Sequence, residues 1–172
     1  YSFVFLRPLG LRLLLARFSD KQALQRALAR ARRMQAKPAA FFPCWMLLNN
    51  MEHLTETFPR LLDELSTQRP QRVFDPDFSA QWEHLTVYFL WRYFLKASVD
   101  GQVLSQTESC LFHVLCIAAL FSCQDARNLQ TLSTLASLYS KEVEHSDENL
   151  HLLLRVFDRK TVSWKTLLSL LG

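Results

Sequence analysis

The chain has 172 residues, 49% of them hydrophobic, with three glycines and six prolines. That is enough apolar surface for a substantial core, which excludes a disordered segment, and too little glycine for a turn-rich sheet fold or a glycine-rich catalytic loop. The formal charge of +4 is lopsided, with nine Lys/Arg against one acid in residues 1–37 and eleven against fifteen in residues 38–172, so the N-terminal end looks toward an anionic neighbour or an acidic face of its own chain.

In chain order, a helix is predicted from about Leu9 to Phe18, with Pro8 near its start. Ser19 and Gln22 form a capping box for a second helix that stops before Pro38. After the connector "AKPAAFFPCW", a helix is predicted over Cys44–Thr57. Another follows over Pro59–Leu65, with Pro59 kinking the join. Residues 66–78, with Pro70 and Pro76, form the longest irregular stretch and a candidate hinge. Asp75 then caps a helix that opens on Pro76. From Leu85 to Leu95 that helix is apolar or aromatic at almost every position, which predicts burial on all sides. Gly101 makes the turn. Ser105 and Glu108 read as a capping box for a second all-apolar helix, "CLFHVLCIAALFSC", and the two should pack antiparallel as a central hairpin. A helix from Leu129, one capped by Ser146 and ending near Phe157, and a last one over Val162–Leu171 complete the count.

The expected fold class is all-α, with seven to eight helices in antiparallel hairpins stacked as a HEAT- or armadillo-like solenoid segment. A compact irregular bundle is the alternative. The domain is read as single over 1–172. A chain that begins without Met and in mid-pattern reads as a fragment of a longer protein. No run of eighteen apolar residues occurs, so no spanning helix is expected, and the first eighteen residues lack the order of a signal peptide. Cys110, Cys116 and Cys123 sit in one helical stretch, too far apart to pair with each other. They read as reduced thiols of an intracellular protein.

Three constellations carry the functional reading. Arg26, Arg30, Arg33 and Lys37 recur at helical spacing as a cationic ridge. That ridge reads first as the solvated side of an ordinary helix, next as a match for an acidic protein surface and last, without sequence preference, for a DNA or RNA backbone. Beside it lies an arc of mostly alanine, which lacks the large anchors that a membrane-surface helix needs. Cys110, His113 and Cys116 hold the residue types of a zinc site, but on a helix they step around the axis rather than converge, so no metal is assigned. Phe41, Phe42, Trp45, Phe74, Phe78, Trp91 and Arg92 are candidates for a protein interface, since aromatics and arginine dominate such contacts. Arg92 interrupts an apolar helix and requires either an acid from a neighbouring helix or an exit at an interface.

No catalytic motif and no cofactor signature appears. The expected function is a non-enzymatic scaffold or adaptor subunit in a hetero-oligomeric protein complex. The arginine cluster, read as a localisation signal, places it in the nucleus. The alternative is a sequence-blind nucleic-acid-binding domain in genome maintenance and DNA repair. An enzyme or metal-binding protein is the third reading.

Overall fold

A computed structural model describes residues 42–68, 73–93, 103–159 and 162. Every regular element among them is helical: α1 (Phe42–Asn49), α2 (Thr57–Gln68), a 3-10 turn (Pro76–Phe78), α3 (Ser79–Tyr93), α4 (Val103–Ser122), α5 (Leu129–Tyr139), a π-helical turn (Ser140–Glu144) and α6 (Asp147–Asp158). The all-α class holds. The two helices expected before Pro38 lie outside the described residues, as does the last one apart from the buried Val162.

Local chemistry sets most of the boundaries. The Asp75 side chain accepts from Asp77 N at 3.0 Å, and Pro76 follows it, so the chain enters α3 through a capped 3-10 turn. Trp82 closes that turn by donating Nε1–H to the Asp75 carbonyl at 2.9 Å. Asn128 caps α5 and Ser146 caps α6, each accepting from the backbone N–H three residues on. Three boundaries differ from those predicted. α1 ends at Asn49 rather than near Thr57, because residues 52–55 are bonded elsewhere. Pro59 falls in the first turn of α2, where no backbone bond is lost, so it kinks nothing. α4 begins at Val103, which puts Ser105 and Glu108 inside the helix, both buried, rather than at its cap.

α4 is the centre. Every residue from Ser105 to Phe121 is buried, and α2, α3, α5 and α6 all pack on it. α3 runs antiparallel to it: Trp82 meets Phe121 with ring centroids at 5.6 Å, while Phe89 stacks on His113 at 4.6 Å. Phe78 also packs on Phe121, and Phe112 on Phe157 of α6.

The expectation of burial all round holds for α4 and fails for α3. Trp82, Thr86, Phe89 and Tyr93 recur at spacings of four, three and four and face α4. The opposite side is open, with Val87 38%, Tyr88 44% and Trp91 70% exposed. The apolar sequence predicts a helix covered on both faces, whereas α3 has a packed face and a wet one. The solenoid rested on two fully enclosed helices, and with only one of them the structure supports no more than an all-helical arrangement about α4.

Candidate functional site

α3 and α5 lean on α4 from either side of Ile117 and leave a groove of about 620 Å³ between them. Leu85 and Phe89 form the α3 wall, Leu132 and Ala136 the α5 wall, and Ile117 the floor. Polar groups edge it: Gln81 and His84 on α3, Ser133 and Ser137 on α5. Glu144 lies at one end and is the only carboxylate that the described residues contribute to the lining.

The π-helical turn places Glu144. After Tyr139 the backbone widens, and His145 N–H reaches back five residues to the Ser140 carbonyl at 3.2 Å. Within this turn Glu142, Val143 and Glu144 are all buried. Two carboxylates two residues apart point in roughly opposite directions on a helical backbone, and here each finds its own set of donors. Glu142 accepts from the Leu54 N–H at 2.7 Å and from the Thr55 hydroxyl. Asn149 completes that side, accepting from Glu52 N–H at 2.9 Å and donating to the carbonyls of Glu52 and Glu142 at 2.9 and 2.8 Å. Residues 52–55 are thus tied to the turn, which is why α1 cannot continue through them.

Glu144 faces α3. Its Oε2 accepts from Arg92 Nε–H at 2.8 Å, from the Tyr93 hydroxyl at 2.8 Å and from the Tyr88 hydroxyl at 3.2 Å. A buried carboxylate needs such partners, because desolvation of an isolated charge costs several kcal/mol. Burial pushes the Tyr93 phenol up, and the carboxylate that accepts its proton adds to the effect. Tyr88 is raised for the same two reasons. Both tyrosines therefore serve Glu144 as neutral donors.

Behind this cluster His113 is fully buried, stacked against Phe89 and Tyr93. Nδ1 lies 2.9 Å from the Tyr139 hydroxyl and Nε2 lies 3.4 Å from Ser109 Oγ. Burial first, and the Arg92 charge second, push its pKa down to about 3, so the ring is neutral.

The sequence candidates are scattered by this fold. Cys110 donates its thiol proton to the Phe89 carbonyl at 3.3 Å, and Cys116 lies beside Tyr139. Cys110 turns to α3 while Cys116 and His113 both meet Tyr139, so the three do not converge on a shared centre. Burial pushes the thiols of Cys44 and Cys110 up to about 12 and Cys116 higher as well, which opposes the thiolate that a metal requires. Among the described residues no group of three or more His, Cys, Asp or Glu could hold a metal ion. Arg26, Arg30, Arg33, Lys37 and Phe41 lie outside the described residues, as does the side chain of Phe42. Trp45 is half-buried and donates to the Leu62 carbonyl at 3.0 Å. Phe74 is buried edge-on against Trp82, and Phe78 is half-buried on Phe121. Trp91 and Arg92 alone of that set stand together on the open side of α3. For Arg92, the neighbouring acid that the sequence demanded is Glu144. That acid, Glu142 and Asn149 belong to no motif in the sequence. The only signal for Glu144 was the unmet charge of Arg92, and fifty-two residues separate the pair.

Comparison with known proteins changes the functional frame. A family model described as "FliB lysine N-methylase C-terminal domain" matches residues 12–170. No curated protein and no solved structure matches. A domain of a methylase family overturns the reading of a non-enzymatic scaffold and the exclusion of an enzyme. Membership of a lysine N-methylase family likewise removes the nuclear address and the role in DNA repair. The arginine cluster misled because a basic helix has the same composition whether it addresses a nucleus or is simply solvated. The absence of a catalytic motif misled because one domain of an enzyme need not carry the reacting groups. With a match that runs over nearly all of its length, the chain belongs to the family of FliB lysine N-methylase C-terminal domains.

Proposed function

We propose that this domain serves lysine N-methylation on the acceptor side, by holding the lysine-bearing segment of a protein substrate in the groove between α3 and α5. The observation that carries this reading is the order of surfaces that the described residues set along the groove: apolar walls that end at the buried carboxylate of Glu144. A lysine side chain has the matching order, an aliphatic stem that gains from apolar contact and a nitrogen that requires a polar partner. The protein partner expected from the sequence is, on this reading, the substrate itself.

The described residues contain no glycine. They offer none of the close backbone approach with which glycine turns cradle a nucleotide-type group, so they do not fit a methyl donor of that kind.

The test is a filled groove. In the full-length enzyme that carries this domain, Ala136→Trp should raise the KM for the lysine-bearing protein substrate by about tenfold or more, the scale of losing a buried contact at an interface, with the melting temperature little changed. Trp91→Ala, outside the groove, should leave KM as it was. Unchanged binding in Ala136→Trp rejects the groove as the acceptor site.

A further inference from the structure

The side chain of Glu144 is 1% exposed, so a substrate in the groove meets the groups around the carboxylate rather than the carboxylate itself. Three side chains bond to its Oε2: Arg92, Tyr93 and Tyr88. Tyr93 is buried. Arg92 is half exposed but is not part of the lining that the described residues form, and its charge repels an ammonium. Tyr88 alone of the three both lines the groove and is open, at 44% exposure.

Tyr88 is held in place before anything binds. Its hydroxyl donates to Glu144 at 3.2 Å, its ring packs edge-on against Phe89 with centroids at 5.1 Å, and the Arg92 guanidinium lies 6.0 Å from its ring centroid. A phenol has one proton and two lone pairs. Burial and the neighbouring carboxylate raise the pKa of this one, so the proton stays on. That proton is committed to Glu144, which leaves the lone pairs as the part of the hydroxyl that a ligand can use. Donation to a carboxylate also makes the oxygen a better acceptor, since hydrogen bonds in series polarise one another. Among the described residues of the lining, no other hydroxyl is backed by a carboxylate in this way.

The order of surfaces on Tyr88 repeats the order on a lysine. A lysine side chain presents an aliphatic stem and then a nitrogen whose N–H groups need an acceptor. Tyr88, beside Leu85 and Phe89, presents a ring and then an oxygen that can accept. Both the ammonium and the neutral amine carry N–H, so such a contact outlasts the loss of the proton that must precede attack on a methyl group.

We infer that Tyr88 is the specificity-determining residue of the groove, its ring packing on the stem of the substrate lysine and its hydroxyl oxygen accepting an N–H of the lysine nitrogen. The inference rests on the groove being the acceptor site.

The experiment uses the full-length enzyme that carries this domain and two small probes, Nα-acetyl-lysine N-methylamide and its norleucine counterpart, which keeps the stem and lacks the nitrogen. Tyr88→Phe keeps the ring and removes the hydroxyl. It should weaken the lysine probe about fivefold to tenfold, the scale of one hydrogen bond, and leave the norleucine probe unchanged. Tyr88→Ala removes the ring as well and should weaken both. Position 88 is half open, so both variants should keep the melting temperature of the parent. In the parent labelled with carbon-13 at tyrosine Cζ, the Tyr88 signal, assigned by its loss in Tyr88→Phe, should shift with the lysine probe and stay in place with the norleucine probe. A Tyr88→Phe variant that treats the two probes alike, or a Tyr88 signal that the lysine probe does not move, overturns the inference. The two levels separate through Ala136→Trp. If that variant still binds the lysine probe as the parent does, the groove reading falls and the inference with it. If it loses the probe while Tyr88→Phe does not discriminate, only the role of Tyr88 falls. A parent enzyme that binds neither probe overturns both.

Discussion

His113 and Arg92 show how single residues on the apolar helices answer to tertiary partners. His113 is enclosed by Phe89, Tyr93 and Tyr139, and burial holds its pKa at about 3 against an ordinary 6.5. The unfolded chain therefore takes up a proton below pH 6.5 that the folded chain refuses. Stability should be complete above that pH and fall toward pH 3, by roughly 1.4 kcal/mol per pH unit. Denaturant titrations at several pH values should show this acid limb in the parent and a flatter one in His113→Gln, which does not titrate. An equal slope in both proteins would mean that other groups dominate. The sequence offered His113 only as one residue type of a zinc site, and marked Arg92 as a charge needing either an acid or an interface. It could not supply the acid, because nothing local links position 92 to position 144. The pairing exists only because folding brings the last turn of α3 beside the π-helical turn.

Among the elements, the π-helical turn matters most to the site. A regular helix from Leu129 through Glu144 would also satisfy the leucine pattern, and that is how the sequence reads. The wider turn instead buries Glu142 and Glu144 on opposite sides, one tied to residues 54 and 55 and the other to α3. Lys141 is exposed within it. Deleting Lys141 should close the turn to α-helical spacing and rotate one carboxylate off its donors. The expected loss, read from the denaturation midpoint, is about 2–4 kcal/mol, the range for a buried charge that loses its partners. Lys141→Ala keeps the length and should stay within about 0.5 kcal/mol of the parent. A deletion as mild as the substitution would show that the turn is incidental. Propensity gave no warning here: a π turn arises when long-range bonds, such as those of Asn149 and residues 52–55, outweigh one regular backbone register.

At the scale of the molecule, stability is concentrated on α4. Leu120, Phe112 and Leu115 are almost fully buried, whereas Trp91 on α3 is 70% exposed. Leu120→Ala should cost about 2–5 kcal/mol, transfer and cavity together, and Trp91→Ala no more than about 0.5 kcal/mol, both measurable by urea unfolding. Comparable costs would mean that α3 is covered on its outer side after all. This contrast also explains the misreading of the architecture. Residues 85–95 and 111–121 are equally apolar on paper, but the described part of the first, through Tyr93, has an open side, whereas the second has neighbours all round. Apolar residues on α3 in excess of what its packed face needs supply the wall of the groove instead.

Composition and periodicity alone determined that this protein is helical, where most of the described helices lie, and that its thiols are buried, since those follow from local backbone preference and the cost of wetting apolar surface. Tertiary structure alone decided which apolar helix is enclosed, which acid meets Arg92, and that a groove borders one buried carboxylate held by that arginine and two tyrosines. Those outcomes depend on contacts between residues far apart in the chain, and no local pattern encodes the distance between two surfaces that meet only after folding.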